Sequence, residues 1–205
     1  MNKQGTLFTV SAPSGAGKTS LVKALVADMQ DIQVSISHTT REIRAGEENG
    51  RHYHFVDRET FETMINGGEF LEYAPVFTKF YGTSKNWVDQ TLSKGIDVIL
   101  EIDWQGANQV RAIRPGTVSV FILPPAKDVL LKRLQDRGRD NPTVIQNRMA
   151  EARNEMSHYY EADYLIINDK FPQALTEFKA LVLAERLKIG NQQINHKALL
   201  LELLS

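Results

Sequence analysis

The chain of 205 residues contains no cysteine, which excludes disulfides and metal sites built on thiolates. Acidic and basic side chains nearly cancel, with a formal net charge of -1, so a broad basic surface for nucleic acid is not indicated. No apolar run approaches the roughly 20 residues of a membrane-spanning helix. The polar first residues lead straight into a predicted strand, unlike a signal peptide. We therefore expect a cytoplasmic protein with neither nucleic acid nor a membrane as partner.

Hydrophobic residues make up 42% of the chain, enough for one sizeable core. Strand-like apolar segments alternate with segments of helical periodicity, which predicts an α/β fold with a parallel sheet and helices on both faces. Residues 33–83 interrupt this alternation with short strand-like segments and turn residues. The predicted organisation is a core over residues 1–32 and 84–190, a strand-rich insert over 33–83 and a tail over 191–205.

The pattern predicts four individual elements. A helix is predicted from residue 20 to about 31, an alternating strand over 33–41 and an amphipathic helix over 172–189. In the tail, a polar stretch precedes a leucine-rich segment that predicts a short helix. That helix could pack on its own core or on another subunit, so a homo-oligomer is one possible state.

One octamer follows the first strand and opens the first helix. It matches the phosphate-binding pattern G-x-x-x-x-G-K-[ST] except that alanine takes the first position. Its residues are Ala12, Pro13, Ser14, Gly15, Ala16, Gly17, Lys18 and Thr19. Residues with little side chain let backbone N–H groups turn toward a polyphosphate at a helix N-terminus, while Lys18 adds charge and the Thr19 hydroxyl can ligate Mg²⁺. The octamer therefore predicts a nucleoside-triphosphate site.

Further polar residues follow other predicted strands. Ligands of such folds bind at the carboxyl ends of parallel strands. The residues predicted at this edge are Lys18, Ser37, Arg41, Glu101, Asp103 and Asn168. We therefore expect them to line one site.

Six segments and two single residues form an ordered set of motifs. They are residues 11–19 (SAPSGAGKT), 37–47 (SHTTREIRAGE), 69–72 (EFLE), 81–83 (YGT), 101–106 (EIDWQG) and 167–169 (IND), with Gly50 and Tyr53. On these motifs the chain resembles the guanylate kinase family from Thr6 to Arg186. The resemblance implies a nucleotide-binding core, an acceptor-binding insert and a helical lid over about 126–158. It also implies transfer of the γ-phosphoryl group of ATP to GMP, with Mg²⁺.

The resemblance also implies residue roles. The ATP-binding residues would be the octamer with Arg133, Arg137 and Asn168, and the catalytic residues Lys18, Arg41, Arg137 and Arg148. The GMP-binding residues would be Ser37, Arg41, Arg44, Tyr53, Glu72, Tyr81, Thr83 and Asp103. Thr19 and Glu101 would hold the metal.

The chemistry of guanine agrees with these roles. Its edge offers N1–H and N2–H₂ donors beside the O6 acceptor, so a protein that reads it needs carboxylates and hydroxyls. Glu72 and Asp103 would accept from the donors, with Ser37 and Thr83 as hydroxyl partners. Adenine would turn an acceptor toward a carboxylate, which a buried site rejects strongly.

Several alternatives stay open on the sequence. Arg41 and Arg44 could lie in a solvated loop, and the lid arginines could form an exposed basic helix face. Glu101 stands where the family suggests aspartate, so it could contact Mg²⁺ directly, through water, or bind the acceptor. His52 and His54 share a strand face and could bind a metal. The chain could also be a non-catalytic interaction module or a kinase of another phosphate acceptor.

Overall fold

The computed structural model describes residues 4–76, 78–136 and 142–205. Its strands are β1 (Leu7–Ser11), β2 (Ile32–Val34), β3 (His38–Thr39), β4 (His54–Phe55), β5 (Phe70–Val76), β6 (Lys79–Ser84), β7 (Asp97–Glu101), β8 (Val118–Leu123) and β9 (Tyr164–Ile167). Its helices are α1 (Lys18–Asp28), α2 (Arg58–Asn66), α3 (Lys85–Ser93), α4 (Trp104–Ile113), α5 (Lys127–Asp136), α6 (Pro142–Met156), α7 (Phe171–Arg186), α8 (Ile189–Asn195) and α9 (Lys197–Leu203). A 3-10 turn covers Tyr159–Glu161.

The main sheet has the strand order β2-β7-β1-β8-β9 within the described residues, and every pairing in it is parallel. The central strand β1 pairs with β7 on one side, in the register Leu7 with Val98, and with β8 on the other. Parallel strands carry their carboxyl ends to one edge, so β1, β7 and β9 deliver their following residues to the same place. This is the edge that the sequence predicts for the site.

Alternate residues of the central strand face two separate cores. Phe8 packs in one cluster with Leu21 of α1 and Phe178 of α7. Its neighbour Leu7 packs in a second cluster with Val88 of α3. Because successive side chains of a strand point to opposite faces, a strand covered on both sides is buried along its whole length, as all five residues of β1 are. The prediction of a parallel sheet with helices on both faces is confirmed.

A second sheet has the order β4-β3-β6-β5 within the described residues. The strand predicted over 33–41 is wrong as one element, because its start is β2 of the main sheet and its later part is β3 of the second sheet. Ser35 still donates its N–H to the carbonyl of Ile99, at 2.9 Å, before the chain leaves the main sheet. Alternation has the same period in either sheet, so the pattern did not reveal the crossing.

The helix boundaries differ from expectation at two places. α1 begins at Lys18 and ends at Asp28, since Met29 is extended. The long C-terminal helix ends at Arg186, and the polar stretch after it forms α8, followed by the predicted leucine-rich helix as α9. In the described parts of the chain no helix is long and apolar enough to cross a membrane.

Candidate functional site

The loop between β1 and α1 has a backbone that requires glycine at two places. Gly15 and Gly17 have φ of 92° and 95°, in the left-handed region that side chains disfavour. A Cβ on Gly17 would lie 2.3 Å from Nδ2 of Asn168. The turn is closed by the Ala16 N–H, which donates to the carbonyl of Pro13 at 3.0 Å. Ala12, which departs from the common pattern, packs against the core of α1 and α7.

Two residues predicted to bind ATP contact the backbone of this loop. The buried Asn168, directly after β9, donates from Nδ2 to the carbonyl of Ala16 at 2.7 Å. Arg133 of α5 donates to the carbonyls of Ala16 and Asn168, at 3.4 and 3.1 Å. Both side chains therefore hold the backbone of the loop through hydrogen bonds. Asn168 fixes the position of the Ala16 carbonyl, directly before Gly17.

The first residues of α1 lie beside the acid that ends β7. The Thr19 hydroxyl donates to Oε2 of Glu101 at 2.9 Å. Burial lowers the pKa of the Lys18 ammonium, an effect that the carboxylates of Glu101, Glu155 and Asp103 oppose. A hydroxyl and a carboxylate side by side are hard oxygen ligands, the type that Mg²⁺ prefers, so these residues fit the metal.

Glu155 of α6 contacts the loop and is absent from the sequence-based site. Its Oε2 accepts from the backbone N–H of Ser14 at 3.3 Å. Burial raises the pKa of Glu155, although the Ser14 N–H and Lys18 favour its charged form. Arg148, predicted as catalytic, reaches the same residue with a hydrogen bond of 3.0 Å from its guanidinium to the Ser14 hydroxyl. Arg148 and Glu155 are seven residues apart, about two helical turns, so they share one face of a helix. This spacing is the sequence signal that could have added Glu155 to the site.

A buried carboxylate and hydroxyl pair lies in the second sheet. Glu72 of β5 and Thr83 of β6 are direct cross-strand partners, and the Thr83 hydroxyl donates to Oε1 of Glu72 at 2.6 Å. Both residues are almost fully buried. Burial raises the pKa of Glu72 to about 7; the Thr83 hydrogen bond opposes this rise, whereas the negative charge of Asp103 adds to it.

Asp103 connects the two halves of the site. It precedes α4, where its Oδ1 accepts from the N–H of Gly106 at 2.8 Å as a helix cap. Its charge influences both Lys18 and Glu72. Ser37, the other predicted hydroxyl partner, lies just before β3 and accepts at its carbonyl from the His54 N–H, at 2.9 Å.

The predicted phosphate-binding residues of the insert form an ion-paired aromatic cluster. Arg41 donates two hydrogen bonds to the Glu47 carboxylate, at 2.7 and 3.0 Å, and lies over the ring of Tyr53 at 5.3 Å. The Tyr53 and Tyr81 rings meet edge to face at 5.8 Å. Arg44 is exposed and contacts Glu47 through its backbone N–H, at 2.9 Å. The Arg41 hydrogen bonds lower the pKa of Glu47 to about 2, so this acid is charged at neutral pH.

Other predicted residues have different surroundings. Arg137 lies outside the described residues. His52 accepts at Nδ1 from the Glu48 N–H, at 3.0 Å, whereas His54 stacks on His38. Among the residues that the structure describes, no group of three or more His, Cys, Asp or Glu side chains could hold a metal ion. Trp104 stacks on His158 with ring centroids 3.5 Å apart.

These features define the class of protein. A parallel α/β sheet carries a glycine-rich loop between its central strand and a helix, with a lysine, a threonine and a carboxylate at the loop. This is the architecture of a phosphate-loop nucleotide kinase.

Comparisons with known proteins identify the family. The family model for guanylate kinase matches residues 4–185. A guanylate kinase from Saccharophagus degradans is 60% identical over 205 residues, 100% of either chain. One from Vibrio cholerae is 55% identical over 204 residues, 98% of this chain and 99% of that protein. A crystal structure of guanylate kinase from Anaplasma phagocytophilum matches with a TM-score of 0.75 and 32% identity, covering 92% of this chain and 90% of that one. The chain belongs to the guanylate kinase family.

Family membership confirms the activity predicted from the sequence. The chain is an enzyme that phosphorylates GMP to GDP, with ATP as donor and Mg²⁺ as cofactor. The two alternatives, a non-catalytic interaction module and a kinase of another acceptor, are disfavoured by full-length identity with guanylate kinases.

Proposed function

We propose that the donor and acceptor nucleotides meet across Asp103, with ATP on the loop after β1 and GMP between the second sheet and the start of α4. The supporting observation is the pair of contacts around Asp103. The carbonyl of its neighbour Ile102 accepts from the Ser11 hydroxyl at 3.0 Å, and its own Oδ1 accepts from the N–H of Gly106, which lies beside Oε2 of Glu72. Asp103 therefore lies between the end of β1, which leads into the phosphate loop, and the buried Glu72–Thr83 pair. In this arrangement the phosphate of GMP would point toward the γ-phosphoryl group of ATP on the loop.

The acceptor base is read by Glu72 and Asp103. Glu72 holds the Thr83 hydroxyl at 2.6 Å, which fixes one oxygen and orients the carboxylate. Guanine N1–H and N2–H₂ then donate to the two acids, while Ser37 and Thr83 serve as hydroxyl partners. AMP would place a lone pair against a buried carboxylate, a contact that costs free energy and makes the site selective.

The acceptor phosphate is held by Arg41, Arg44, Tyr53 and Tyr81. Arg41 is preorganised by Glu47 and the Tyr53 ring, and its planar guanidinium suits bidentate binding of phosphate. The bound phosphate competes with Glu47 for this guanidinium. Exchange of one anion for the other therefore accompanies GMP binding.

The transfer itself needs alignment and charge neutralisation. An oxygen of the GMP phosphate attacks the γ-phosphorus of ATP, the bond to the β-phosphate oxygen breaks, and ADP leaves. The attacking oxygen is already ionised, so no protein general base is required. Lys18 neutralises charge on the phosphates. Arg148 contacts Ser14 of the loop, and from this position its guanidinium also neutralises phosphate charge. Arg137 belongs to this proposal on the sequence pattern alone.

Thr19 and Glu101 would hold Mg²⁺, since their oxygens lie 2.9 Å apart. When bound, the ion would neutralise phosphate charge and fix the geometry of the triphosphate. Glu101 is longer than aspartate by one methylene, and its contact with Thr19 is compatible with direct or water-mediated binding.

Two segments are proposed to close over the nucleotides, namely the insert over residues 33–83 and the lid over 126–158. Closure excludes water that could otherwise accept the phosphoryl group. The contacts of Arg148 and Glu155 with Ser14 support a lid that reaches the loop.

A coupled assay of ADP formation tests the proposed acceptor. We expect rapid ADP formation with GMP and ATP, and very slow formation with AMP, CMP or UMP. Equal turnover of AMP and GMP would contradict reading of guanine by two carboxylates. Omission of Mg²⁺ should abolish transfer.

A homo-oligomer is proposed from the exposed leucines of α9 and of the residue that follows it. Leu199, Leu200, Leu203 and Leu204 are 50%, 37%, 70% and 85% exposed. Apolar clusters of this kind commonly mark interfaces. Light scattering should give a mass above the 23.2 kDa of one chain, reduced by deletion of residues 192–205. A monomer for the full chain would rule this out.

The proposed location is the cytoplasm, where ATP and GMP are available. The near-neutral net charge supports small-molecule partners over nucleic acid. Fractionation of cells that express a tagged chain checks the location.

A further inference from the structure

One glycine lies beside both carboxylates of the proposed guanine site. Gly106 lies in the first turn of α4, and its N–H donates to Oδ1 of Asp103 at 2.8 Å. A Cβ built on Gly106 would lie 3.0 Å from Oε2 of Glu72 and 3.4 Å from the Ile102 side chain. Glu72 and Asp103 come from different segments of the chain and meet at this residue.

The backbone does not explain the glycine. Gly106 is helical, and its φ lies outside the left-handed region that favours glycine at Gly15 and Gly17. Within a helix, glycine weakens folding relative to alanine by roughly fivefold in the equilibrium constant. The residue therefore reduces helix stability where alanine has the better propensity. The nearby carboxylate supplies the packing reason for the glycine.

Glu72 has little room to move. It is 5% exposed, and its other oxygen is held by the Thr83 hydroxyl at 2.6 Å. A contact of 3.0 Å to a new methyl group would push Oε2 away by a few tenths of an ångström. Because the Thr83 contact fixes the other oxygen, the carboxylate would turn rather than retreat. Its orientation toward a ligand would change.

We propose that Gly106 is a positioning residue for acceptor recognition, whose missing side chain lets the Glu72 carboxylate lie against α4 beside Asp103. The two acids are then spaced to accept from adjacent N–H donors of one planar base. This inference rests on the proposed reading of guanine by Glu72 and Asp103. It adds that the spacing is set by a residue that does not touch the substrate.

Gly106→Ala tests the proposal, with Gly190→Ala as the matched control. Gly190 is also a helical glycine outside the left-handed region, and a Cβ there would meet no atom within 4 Å. We expect Gly106→Ala to raise KM for GMP roughly three- to tenfold, with kcat at saturating GMP changing less. The Kd for ATP and the thermal midpoint should match those of the control. A GMP KM within twofold of the control, or equal weakening of GMP and ATP, would overturn the proposal.

A double-mutant cycle shows whether the effect acts through Glu72. Glu72→Asp shortens the side chain and removes the contact, so Gly106→Ala should have little further effect on KM in that background. An equal penalty in both backgrounds would contradict the mechanism. If the Gly106→Ala protein fails to fold, the glycine is required for stability, and this result would also overturn the proposal.

Glu72→Asp alone separates the two proposals. If it leaves GMP kinetics unchanged, the proposed reading of guanine fails. If it weakens GMP while Gly106→Ala behaves like Gly190→Ala, the reading of guanine survives and the inference about Gly106 fails.

Discussion

The loop after β1 and the second sheet hold their proposed ligands in different ways. The loop extends from a strand that is buried on both faces. Its backbone is held by hydrogen bonds from the side chains of Asn168 and Arg133 to the Ala16 carbonyl. In the second sheet, β3 and β4 are only two residues each, and the proposed ligand groups are side chains held by one another, as in the Glu72–Thr83 pair. Backbone recognition suits phosphates, which all nucleotides share. Side-chain recognition suits the base, which distinguishes them.

The largest effect is expected where the loop contributes a charged side chain. Lys18→Ala should lower kcat by several orders of magnitude, because the proposed role of the lysine is to neutralise charge on the transferring phosphoryl group. Thermal unfolding should be little changed, since burial of the ammonium is unfavourable. The coupled assay and a melting curve measure both. Near-normal turnover of the variant would contradict the assignment of this loop as the site that binds the phosphates of ATP.

Glu72→Gln should affect only the acceptor side. Replacing a charged acceptor with an amide costs about 1.5 to 3 kcal/mol, which is about ten- to a hundredfold in kcat/KM for GMP. Discrimination against AMP should relax, because the amide can also donate. The Kd for ATP, measured by titration, should stay unchanged. Equal weakening of both nucleotides would contradict the division between the two regions.

The stability of Glu72→Gln provides a further check. The pKa of Glu72 is raised to about 7, so its stabilising contribution is complete below about pH 4.5 and is lost as pH rises through 7. An amide resembles the protonated acid and does not titrate. The variant should therefore melt at or above the wild-type temperature at pH 8. A large drop in melting temperature would show that Glu72 has a structural role.

A pH profile sharpens the comparison. With a pKa of about 7, Glu72 is mostly ionised at pH 8 and mostly protonated at pH 6. If the ionised form binds guanine, KM for GMP should rise about tenfold over this interval as pH falls. Glu72→Gln, measured in the same buffers, corrects for titration of the GMP phosphate. Parallel profiles for the two proteins would exclude Glu72 as the titrating group.

The smallest effect is expected from Asn168→Ala. The change removes a hydrogen bond to the Ala16 carbonyl and leaves that buried carbonyl less satisfied, at a cost of about 1 to 3 kcal/mol in stability. The Kd for ATP should rise a few-fold, while KM for GMP at saturating ATP stays the same. Denaturant unfolding and titration measure these quantities. A selective loss of GMP affinity would place Asn168 on the acceptor side.

The phosphate-loop part of the candidate site could be predicted from the sequence because its residues are contiguous. The small residues of the octamer that opens α1 indicate a phosphate-binding turn, and the apolar stretches of β7 and β8 indicate buried parallel strands. Family resemblance added Glu72, Thr83 and Asp103, which individually resemble ordinary polar residues. Glu47 was harder to assign, because a charged loop does not reveal which acid pairs with Arg41.

The sequence alone determined the phosphate loop, the α/β alternation and the chemistry available to read guanine, because these depend on neighbouring residues and on residue type. Only the tertiary structure decided that residues 33–41 cross between two sheets, since both sheets impose the same period. It also joined Glu155 to Ser14 across 141 positions. It brought Glu72 against Gly106, where the missing Cβ is the space that the carboxylate needs. Such contacts depend on packing between segments that are distant in the sequence, and the local periodicity of hydrophobic residues does not indicate which segments pack together.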